Sequence, residues 1–564
     1  MAESAPPIRP NAAGQTDDWP PRPWLLAGLL AGAGLVENWI TSATQSAGMT
    51  ALGVCVAGFA LTLAFTVERT RTVWAAAFAV IAGLTLGGIA WQIDLGAAGN
   101  SHPDYAFVSG IAALLIAVPL FQAAHHAGSR RIAYPRVHFH VWNDIISGIA
   151  ALAFTGLTWL LLWLMAALFN LIQLDFLEHL LGRGWFEWTI SGAAFGAALG
   201  ILRENETIIA TLQRVVMLVL TVLAVPLAAG LAVFLAALVF SGPEVLWHAT
   251  KAATPVLLAC ILGAFVLTNA VIRAGDAEES RNPVLRTAAL LLTLTMLPLA
   301  LFAAVSTGLR IHQYGLSPDR IWAVIVVAVA CAYGLAYLVA AIRGRGRAWV
   351  PFARVANLRL AIGVSVMAAL LALPLLDFGG IAARDQLARL ASGKVRSDNF
   401  DFAGLRWDFG PAGRRALQRL ERSGTPEQRV AAKSALAQTQ RAYFRPDSRK
   451  AGEEVSHNLE LVGGDARLRA ALLAYLTAQS DACRQRCVAI RTHGPVKARE
   501  RIVLVDRGWS RMVLSYDPAT AAIAEEPLVA PRAPTMNATA RVEVRDVTRQ
   551  QIFIDGKPLG EPLP

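Results

Sequence analysis

Apolar and polar residues alternate in long blocks over the first two thirds of this chain. A helix needs about 20 mostly apolar residues to cross a bilayer. Eleven stretches meet that requirement: 24–40, 48–66, 72–93, 105–124, 144–174, 185–202, 212–240, 252–273, 285–307, 321–342 and 358–376. The first is the weakest, because Glu37 and Asn38 lie inside it, and the fifth and seventh are longer than a span requires. The pattern predicts an all-α polytopic membrane bundle of about eleven transmembrane helices.

The chain turns polar after residue 376, and no comparable apolar run follows. Apolar residues at helical spacing predict a short amphipathic helix within 377–390. Further helices are expected at 411–422, 426–444 and 465–479, and strands at 488–491, 501–505, 510–516, 540–547 and 551–555, with a Pro-rich link at 517–535. Four regions follow: a disordered cytoplasmic N-terminus (1–23), a transmembrane helical domain (24–376), a helical juxtamembrane connector (377–445) and a small extracytoplasmic α+β domain (446–564).

The distribution of positive charge indicates how the spans are oriented, because Lys and Arg concentrate in short cytoplasmic loops. If the N-terminus is cytoplasmic, the inside segments of an eleven-span chain carry 17 Lys and Arg residues and the outside loops carry 4. The N-terminal segment lacks the basic start of a signal peptide, so we expect the first span to remain as an anchor. Eleven spans then place the C-terminal domain outside the cytoplasm.

Composition agrees with a membrane protein. Hydrophobic residues make up 55% of the chain and charged residues only 16%, which is too apolar for a soluble globule. The net charge of +11 comes mostly from the region after residue 376, and no aromatic-basic motif accompanies it, so nucleic acid is not an expected partner. Membrane lipids are the expected partners, together with a periplasmic or envelope protein.

Small residues at every fourth position predict close helix contacts within the membrane. Three such series occur: Gly28 and Gly32, then Gly83 and Gly87, then Gly192, Gly196 and Gly200. The last is the longest. We expect that helix to be buried between neighbours, within one chain rather than between chains.

Polar groups inside the spans are few. Asn170, Gln173 and Asn269 are neutral, and interhelical hydrogen bonds are the simplest interpretation of them. Three spans contain prolines, at 119, 226 and 298, which can kink a helix or help to form a transport site. The histidine-rich stretch 125–144 contains a His-x-His pair suited to a metal only if extended, and we interpret it as a basic loop at the membrane surface.

The predicted outside loop at 310–322 carries the densest group of polar side chains. Ser317, Pro318 and Asp319 are typical of the start of a helix. The candidate functional residues here are Arg310, His312, Gln313, Tyr314, Asp319 and Arg320. Two interpretations stay open: helix capping with an Asp–Arg pair, or a binding site for a headgroup or glycan.

Three short motifs resemble a known family. They are Tyr-Gly-Leu followed by Pro-Asp-Arg at 314–320, Asp-Phe-Gly with Ala-Arg and Gln-Leu at 377–387, and Asp-Phe-Gly-Pro at 408–411. With these motifs the chain resembles the bacterial membrane proteins called domain of unknown function 4153, over the membrane half and on to about residue 425. The resemblance implies a multi-pass architecture and a location in the bacterial inner (cytoplasmic) membrane, with the C-terminal domain in the periplasm, and it supplies no catalytic residues. Within the second motif, Asp377, Arg384 and Gln386 are candidate juxtamembrane residues.

Two cysteines, Cys483 and Cys487, lie just before the first strand, where an oxidising periplasm would allow a disulfide. No catalytic, metal or cofactor motif stands in a supporting context, so none of these sites is expected. The first functional hypothesis is a cell-envelope scaffold, sensor or assembly factor with a periplasmic domain. The alternative is a transporter or lipid translocator, and a membrane-embedded transferase is third.

Overall fold

The computed structural model describes residues 19–43, 46–94, 103–127, 132–242, 253–276, 278–346, 348–438, 441, 455–478, 483, 486–493, 500–506, 510–525, 553–554 and 557–558. Most of the predicted N-terminal region, 1–18, lies outside them. The chain forms two compact units, Met1–Pro446 and Asp447–Pro564. The first contains the apolar helices and the juxtamembrane helices, and the second contains a sheet.

Twelve helices in the described part of the first unit precede residue 373. They are α1 (Arg22–Ser42), α2 (Ala47–Thr66), α3 (Thr72–Asp94), α4 (Pro103–Ala127), α5 (Tyr134–Leu171), α6 (Phe176–Leu181), α7 (Gly184–Glu204), α8 (Glu206–Ser241), α9 (Ala253–Ile272), α10 (Pro283–Tyr314), α11 (Pro318–Arg343) and α12 (Val350–Ala372). Ten of them are long and apolar enough to cross a membrane. The protein is therefore a multi-pass membrane protein.

All eleven predicted stretches are helical, and ten qualify as spans by length and composition. The exception is α7, which matches the predicted stretch 185–202 but is not among the ten helices that are long and apolar enough to cross a membrane. The short helix α6 was not predicted. Prolines 119, 226 and 298 lie inside the continuous helices α4, α8 and α10, so none of them breaks its helix.

The histidine-rich stretch differs from its prediction. Helix α5 begins at Tyr134, ten residues before the expected start, with Pro135 in the first helical turn. His138 and His140 are therefore helical, and residues two apart on a helix point in different directions. The loop interpretation is wrong for 134–144, and the extended His-x-His pair is excluded. His138 is buried.

Helices α1 and α7 pack backbone to backbone. A Cβ on Gly192 would lie 2.2 Å from the carbonyl oxygen of Leu30, and one on Gly196 would lie 2.3 Å from that of Leu26. A Cβ on Gly200 would likewise collide with the backbone of Pro23. Rising residue numbers on α7 meet falling numbers on α1, so the two helices are antiparallel. The predicted burial of this glycine series within one chain is confirmed.

The other two glycine series have opposite outcomes. Gly83 and Gly87 face the backbone of α2, where an added Cβ would lie 2.6 Å and 2.8 Å from carbonyl oxygens, so that contact is confirmed. Among the residues that the structure describes, nothing lies within 4 Å of a Cβ added to Gly28 or Gly32, so the contact predicted for them is wrong as a contact within one chain. Helix α1 presents Gly34 to α7 instead, in the same row as Leu26 and Leu30.

Within its described residues, 377–438 and 441, the juxtamembrane connector contains a short 3-10 helix (Ser397–Asn399) and four α-helices: α13 (Phe378–Ala391), α14 (Phe402–Trp407), α15 (Gly410–Ser423) and α16 (Pro426–Ala437). Their core consists of Ala382, Ala383, Leu390, Phe400, Phe402, Leu405, Phe409, Ala416, Leu417, Ala432 and Ala435. Leu316 and Ile321, from the segment between α10 and α11 and from α11, pack against this core. A capping box of Thr425 and Gln428 starts α16, which ends at Ala437, earlier than the predicted 444.

In the described part of the second unit, a five-stranded mixed sheet packs against a helix, and residues 455–458 are also helical. The strands are β1 (Leu459–Val462), β2 (Cys487–His493), β3 (Glu500–Asp506), β4 (Ser510–Asp517) and β5 (Ala522–Glu525), in spatial order β1-β2-β3-β4-β5, and a short pair, β6 (Phe553–Ile554) and β7 (Lys557–Pro558), follows. β1 pairs parallel with β2, and the other neighbours in the large sheet are antiparallel. Helix α17 (Ala466–Ala478) buries three leucines against one face of the sheet.

The strands predicted at 488–491, 501–505 and 510–516 are confirmed, whereas β1 was not predicted and β5 falls inside the predicted Pro-rich link. The predicted strand 540–547 lies outside the described residues. Cys483 and Cys487 form a disulfide, with their Cα atoms 5.3 Å apart. The fold class, a polytopic helical bundle followed by a small α+β region, is confirmed.

Candidate functional site

The loop between α10 and α11 is held by α13. Asp385 accepts a hydrogen bond from the Leu316 N–H at 2.7 Å. The Gln386 amide donates to the carbonyl oxygens of Tyr314 at 2.9 Å and Leu316 at 2.8 Å. Side chains of one helix thus bind the main chain of the loop in both hydrogen-bonding directions.

Arg389 extends this contact by one helical turn. Its guanidinium donates to the carbonyl oxygen of His312 at 3.2 Å and to that of Gln313 at 2.8 Å. These carbonyls belong to the last turn of α10, where no following helical N–H group donates a hydrogen bond to them. A cation is favoured at such a helix C-terminus. We call the set of Asp385, Gln386 and Arg389 on α13, with residues 312–316, the loop clamp.

A glycine allows the clamp to close. Gly315 has φ of +76°, a conformation that side chains rarely adopt, and it ends α10. A Cβ on Gly315 would lie 2.6 Å from the Gln386 amide nitrogen and 2.9 Å from an Asp385 carboxylate oxygen. Both the backbone conformation and the close approach of α13 therefore require glycine.

Helix α11 closes the loop from its other end. Ser317 caps the helix by accepting from the Arg320 N–H at 3.3 Å. The Arg320 guanidinium donates back to the carbonyl oxygens of Gly315 at 2.7 Å and Tyr314 at 3.3 Å, and it lies over the Tyr314 ring. The Arg320 side chain therefore stabilises the loop that precedes its own helix.

An aromatic row lies beside the clamp. The Trp322 ring is 5.3 Å from Tyr105 at the start of α4 and 5.2 Å from Phe378 at the start of α13. The Tyr105 hydroxyl also donates to Asp319 at 3.2 Å. Such rings are typical of the membrane–water interface, so the first turn of α13 lies at that level.

The candidate residues from the sequence have different positions. Tyr314, Arg320 and Gln386 meet in the clamp, and Asp377 caps α13 by accepting from the Gly380 N–H at 2.7 Å. His312 and Gln313 contribute carbonyl oxygens to the clamp, and both residues are exposed.

Arg310 and Arg384 are exposed, and neither side chain has a hydrogen bond within the described part of the chain. Sequence reasoning missed Asp385 and Arg389. Their spacing with Gln386 along one side of an amphipathic helix was the signal that could have found them.

The chemistry of the clamp is structural. Its charged and amide groups bind backbone carbonyl and N–H groups, and no pair of side chains has the arrangement of a nucleophile with its base. Among the described residues, no group of three His, Cys, Asp or Glu residues could hold a metal ion. The capping interpretation of the 310–322 loop accounts for Ser317 and Arg320, while Asp319 bonds to Tyr105.

A second polar cluster lies near the other end of α11, buried among α5, α9 and α12. Asn269 is its centre: its amide donates to the Tyr337 hydroxyl at 2.8 Å, and its oxygen accepts from Asn357 at 2.7 Å and from the Tyr134 hydroxyl at 3.3 Å. Buried Arg354 donates to the Ile272 carbonyl at 2.6 Å. Asn269 was predicted to bond between helices, and it does; the other members were missed.

A third polar group joins α2, α4, α5 and α7. The Gln122 amide donates to the Phe65 carbonyl at 2.7 Å and to the Asp144 carboxylate at 3.3 Å. Arg203 donates to the Ala64 carbonyl at 2.5 Å. Outside these clusters, Asn170 donates to Glu178 of α6. The polar side chains of these clusters therefore join helices to one another.

A family model for a domain of unknown function, DUF4153, matches residues 49–420. The chain belongs to this family. The matched segment of this DUF4153 protein contains both sides of the loop clamp and ends within α15. No curated protein and no solved structure matches the chain.

Proposed function

We propose that this DUF4153 protein is a structural or sensory component of the bacterial cell envelope. Its membrane bundle holds the juxtamembrane helices in a fixed position, and its C-terminal unit contacts a partner in the periplasm. The observation that carries the proposal is the loop clamp. The most polar loop of the membrane half uses its backbone to bind α13, so the loop serves as an attachment point for the connector.

Two observations support a periplasmic C-terminal unit. Helix α7 is weakly apolar, but it lies antiparallel to α1 from Gly34 to Pro23, so it crosses the same layer that α1 crosses. If α7 is counted with the ten apolar helices of the described residues, the number of spans is odd, which supports a chain whose termini lie on opposite sides of the membrane. The disulfide between Cys483 and Cys487 is the second observation, since disulfides persist in oxidising compartments.

Continuous helices argue against the transporter alternative. Discontinuous membrane helices are a common way to build a transport site. Here the three proline-containing spans run unbroken, and two of the buried polar side chains, Asn269 and Gln122, bind neighbouring helices. The proposed function therefore places the activity at the connector and the C-terminal unit.

The proposal is tested by complementing a gene-deletion strain and measuring how permeable its envelope is to a large antibiotic. We expect the deletion to raise permeability and the full chain to restore it. A chain truncated after Pro446 should fail to restore it, and so should Gln386→Glu, which puts a carboxylate against two carbonyl oxygens. Asn170→Leu is the matched control, because Asn170 bonds only to nearby Glu178 among the described residues, and it should restore the barrier.

Restoration by the truncated chain would contradict the proposal, because the membrane half would then suffice. A deletion strain with an unchanged barrier would also contradict it. The orientation is checked separately with alkaline phosphatase fused after Pro564, which is active only in the periplasm. A reporter that fluoresces only in the cytoplasm is fused at the same position as a control. Fluorescence from that fusion would refute the periplasmic placement.

A further inference from the structure

The connector carries more positive charge than its own acids can neutralise. Residues 377–446 contain 13 Lys and Arg residues and 7 Asp and Glu residues. Most of those acids are already bound: Asp385 in the loop clamp, Asp398 to Arg396, and Asp401 and Asp408 to Arg441. The excess positive charge is therefore left at the surface.

Four arginines concentrate this charge on α15. Arg414, Arg415, Arg419 and Arg422 are all exposed, on the side of the helix opposite its buried residues. None of the four guanidinium groups has a hydrogen bond or an ion pair with any residue that the structure describes. We call these four residues the basic face.

The arrangement is unfavourable for the helix itself. Arg415 and Arg419 are four residues apart and Arg419 and Arg422 are three apart, spacings at which like charges repel on a helix. A sequence that breaks a local rule without a compensating contact inside the protein is expected to gain from an external one. The compensating partner would carry negative charge.

The position of α15 identifies the kind of partner. Only residues 373–377 separate α12 from α13, and the first turn of α13 joins the interfacial aromatic row through Phe378. Leu375, in that short link, is 63% exposed, as expected for a side chain that contacts lipid. The connector therefore begins at the headgroup layer.

Helix α15 stays close to that layer. Ala416 and Leu417 of α15 share a core with Ala382 and Ala383 of α13. Helices in such contact lie about 10 Å apart, so α15 lies about one helix spacing from the part of α13 that begins at the headgroup layer. Charged headgroups attract arginines that come within a Debye length, about 8 Å at physiological salt, and long arginine side chains on a helix in this position can extend toward that layer.

We propose that the basic face of α15 binds the phosphate groups of anionic phospholipids in the leaflet next to the connector. Arginine is suited to this ligand, because its planar guanidinium pairs with phosphate oxygens in a bidentate manner. The lipid would neutralise the repulsion among the four arginines and hold the connector against the membrane. The inference does not depend on the proposed function or on which leaflet is involved.

The test compares lipid preference in the full-length protein. The protein is equilibrated in mixed micelles with equal amounts of phosphatidylglycerol and phosphatidylcholine, and native mass spectrometry measures the ratio of the two lipids that stay bound. The test variant is Arg414→Gln, Arg415→Gln, Arg419→Gln and Arg422→Gln together. The matched control removes four other exposed charges of the connector: Arg384→Gln, Lys394→Gln, Arg429→Gln and Lys433→Gln.

Each Lys or Arg near an anionic surface favours binding by about fivefold. If only two of the four arginines engage a lipid, the preference of the test variant for phosphatidylglycerol falls by at least about tenfold. The control variant should keep most of the preference. Hydrogen exchange of the α15 amides shows whether the helix is still formed in the test variant.

A measurement without any substitution keeps the proposal testable if that variant does not fold. Raising salt from about 0.1 M to about 0.5 M shortens the Debye length and should reduce the wild-type preference. A wild-type protein with no preference for phosphatidylglycerol would overturn the proposal, and so would an equal loss in the test and control variants. A second probe, poly-glutamate, is added to the protein in phosphatidylcholine alone. If the protein shows no lipid preference but binds poly-glutamate through the basic face, the partner is an acidic protein and the proposal is overturned.

Discussion

Gln386 is the residue whose removal tests the loop clamp most directly. Its amide group donates two hydrogen bonds, to Tyr314 at 2.9 Å and to Leu316 at 2.8 Å. A hydrogen bond of this kind contributes about 1 kcal/mol, and the two carbonyl oxygens lose their donor when it is removed. Gln386→Ala should therefore lower the free energy of opening α13 from the loop by about 2 kcal/mol.

Hydrogen–deuterium exchange in nanodiscs measures this opening. A loss of about 2 kcal/mol corresponds to exchange of the α13 amides about 30-fold faster, since about 1.4 kcal/mol is a factor of ten. Gln386→Glu should be faster still, because its carboxylate accepts hydrogen bonds and cannot donate to the two carbonyls. The other juxtamembrane helices have their own core and should change less.

Arg384→Ala is the control, because Arg384 lies on the same helix and is exposed, with no hydrogen bond to a described residue. It should leave exchange unchanged within about threefold, as for most surface substitutions. If Gln386→Ala behaves like Arg384→Ala, the two hydrogen bonds contribute nothing to attachment. The clamp would then not stabilise the attachment of α13, and the proposed function would lose its support.

Three further predictions concern other contacts. Gly196→Leu should separate α1 from α7 and lower the thermal stability of the purified protein, whereas Gly28→Leu, with nothing within 4 Å, should not. Tyr337→Phe removes a partner of Asn269 in a fully buried site and should lower stability by about 1–3 kcal/mol, measured by unfolding in mixed micelles. Burial raises the pKa of Asp401. The folded state therefore binds more protons than the unfolded state just above about pH 3.9. As the pH rises above about 3.9, the wild type should therefore lose stability relative to Asp401→Asn. Hydrogen exchange of the α14 amides measures this difference.

The bundle could be predicted from the sequence because the bilayer imposes a strong constraint. Backbone groups in lipid must be bonded within a helix, so each long apolar run becomes one. Packing explains why the first span can contain the polar residues Glu37 and Asn38. A Cβ on Gly184 would lie 2.6 Å from the amide oxygen of Asn38, and one on Gly53 would lie 2.8 Å from a carboxylate oxygen of Glu37, so these polar groups face neighbouring helices.

The clamp could be predicted only in part. Tyr314, Arg320 and Gln386 stood out in the motifs. Which partners they contact depends on how α13 packs against the loop, and no local sequence pattern predicts that packing. Asp385 and Arg389 were missed for the same reason.

The short strands β1 and β5, four residues each, were missed because so few residues give no clear alternation. The buried members of the Asn269 cluster lie near the ends of their spans, where polar residues are expected to meet water. Only the packing of four helices showed that these side chains are buried.

The backbone contact between α1 and α7 has a consequence for how the protein is made. The chain between them, from residue 43 to 183, is longer than many whole domains. At a synthesis rate of about 5–20 residues per second, α7 follows α1 out of the ribosome after roughly 7–28 seconds. For that time the row of Leu26, Leu30 and Gly34 lacks the α7 backbone that packs against it in the folded chain. The first span therefore reaches its final packing only after α7 has been made.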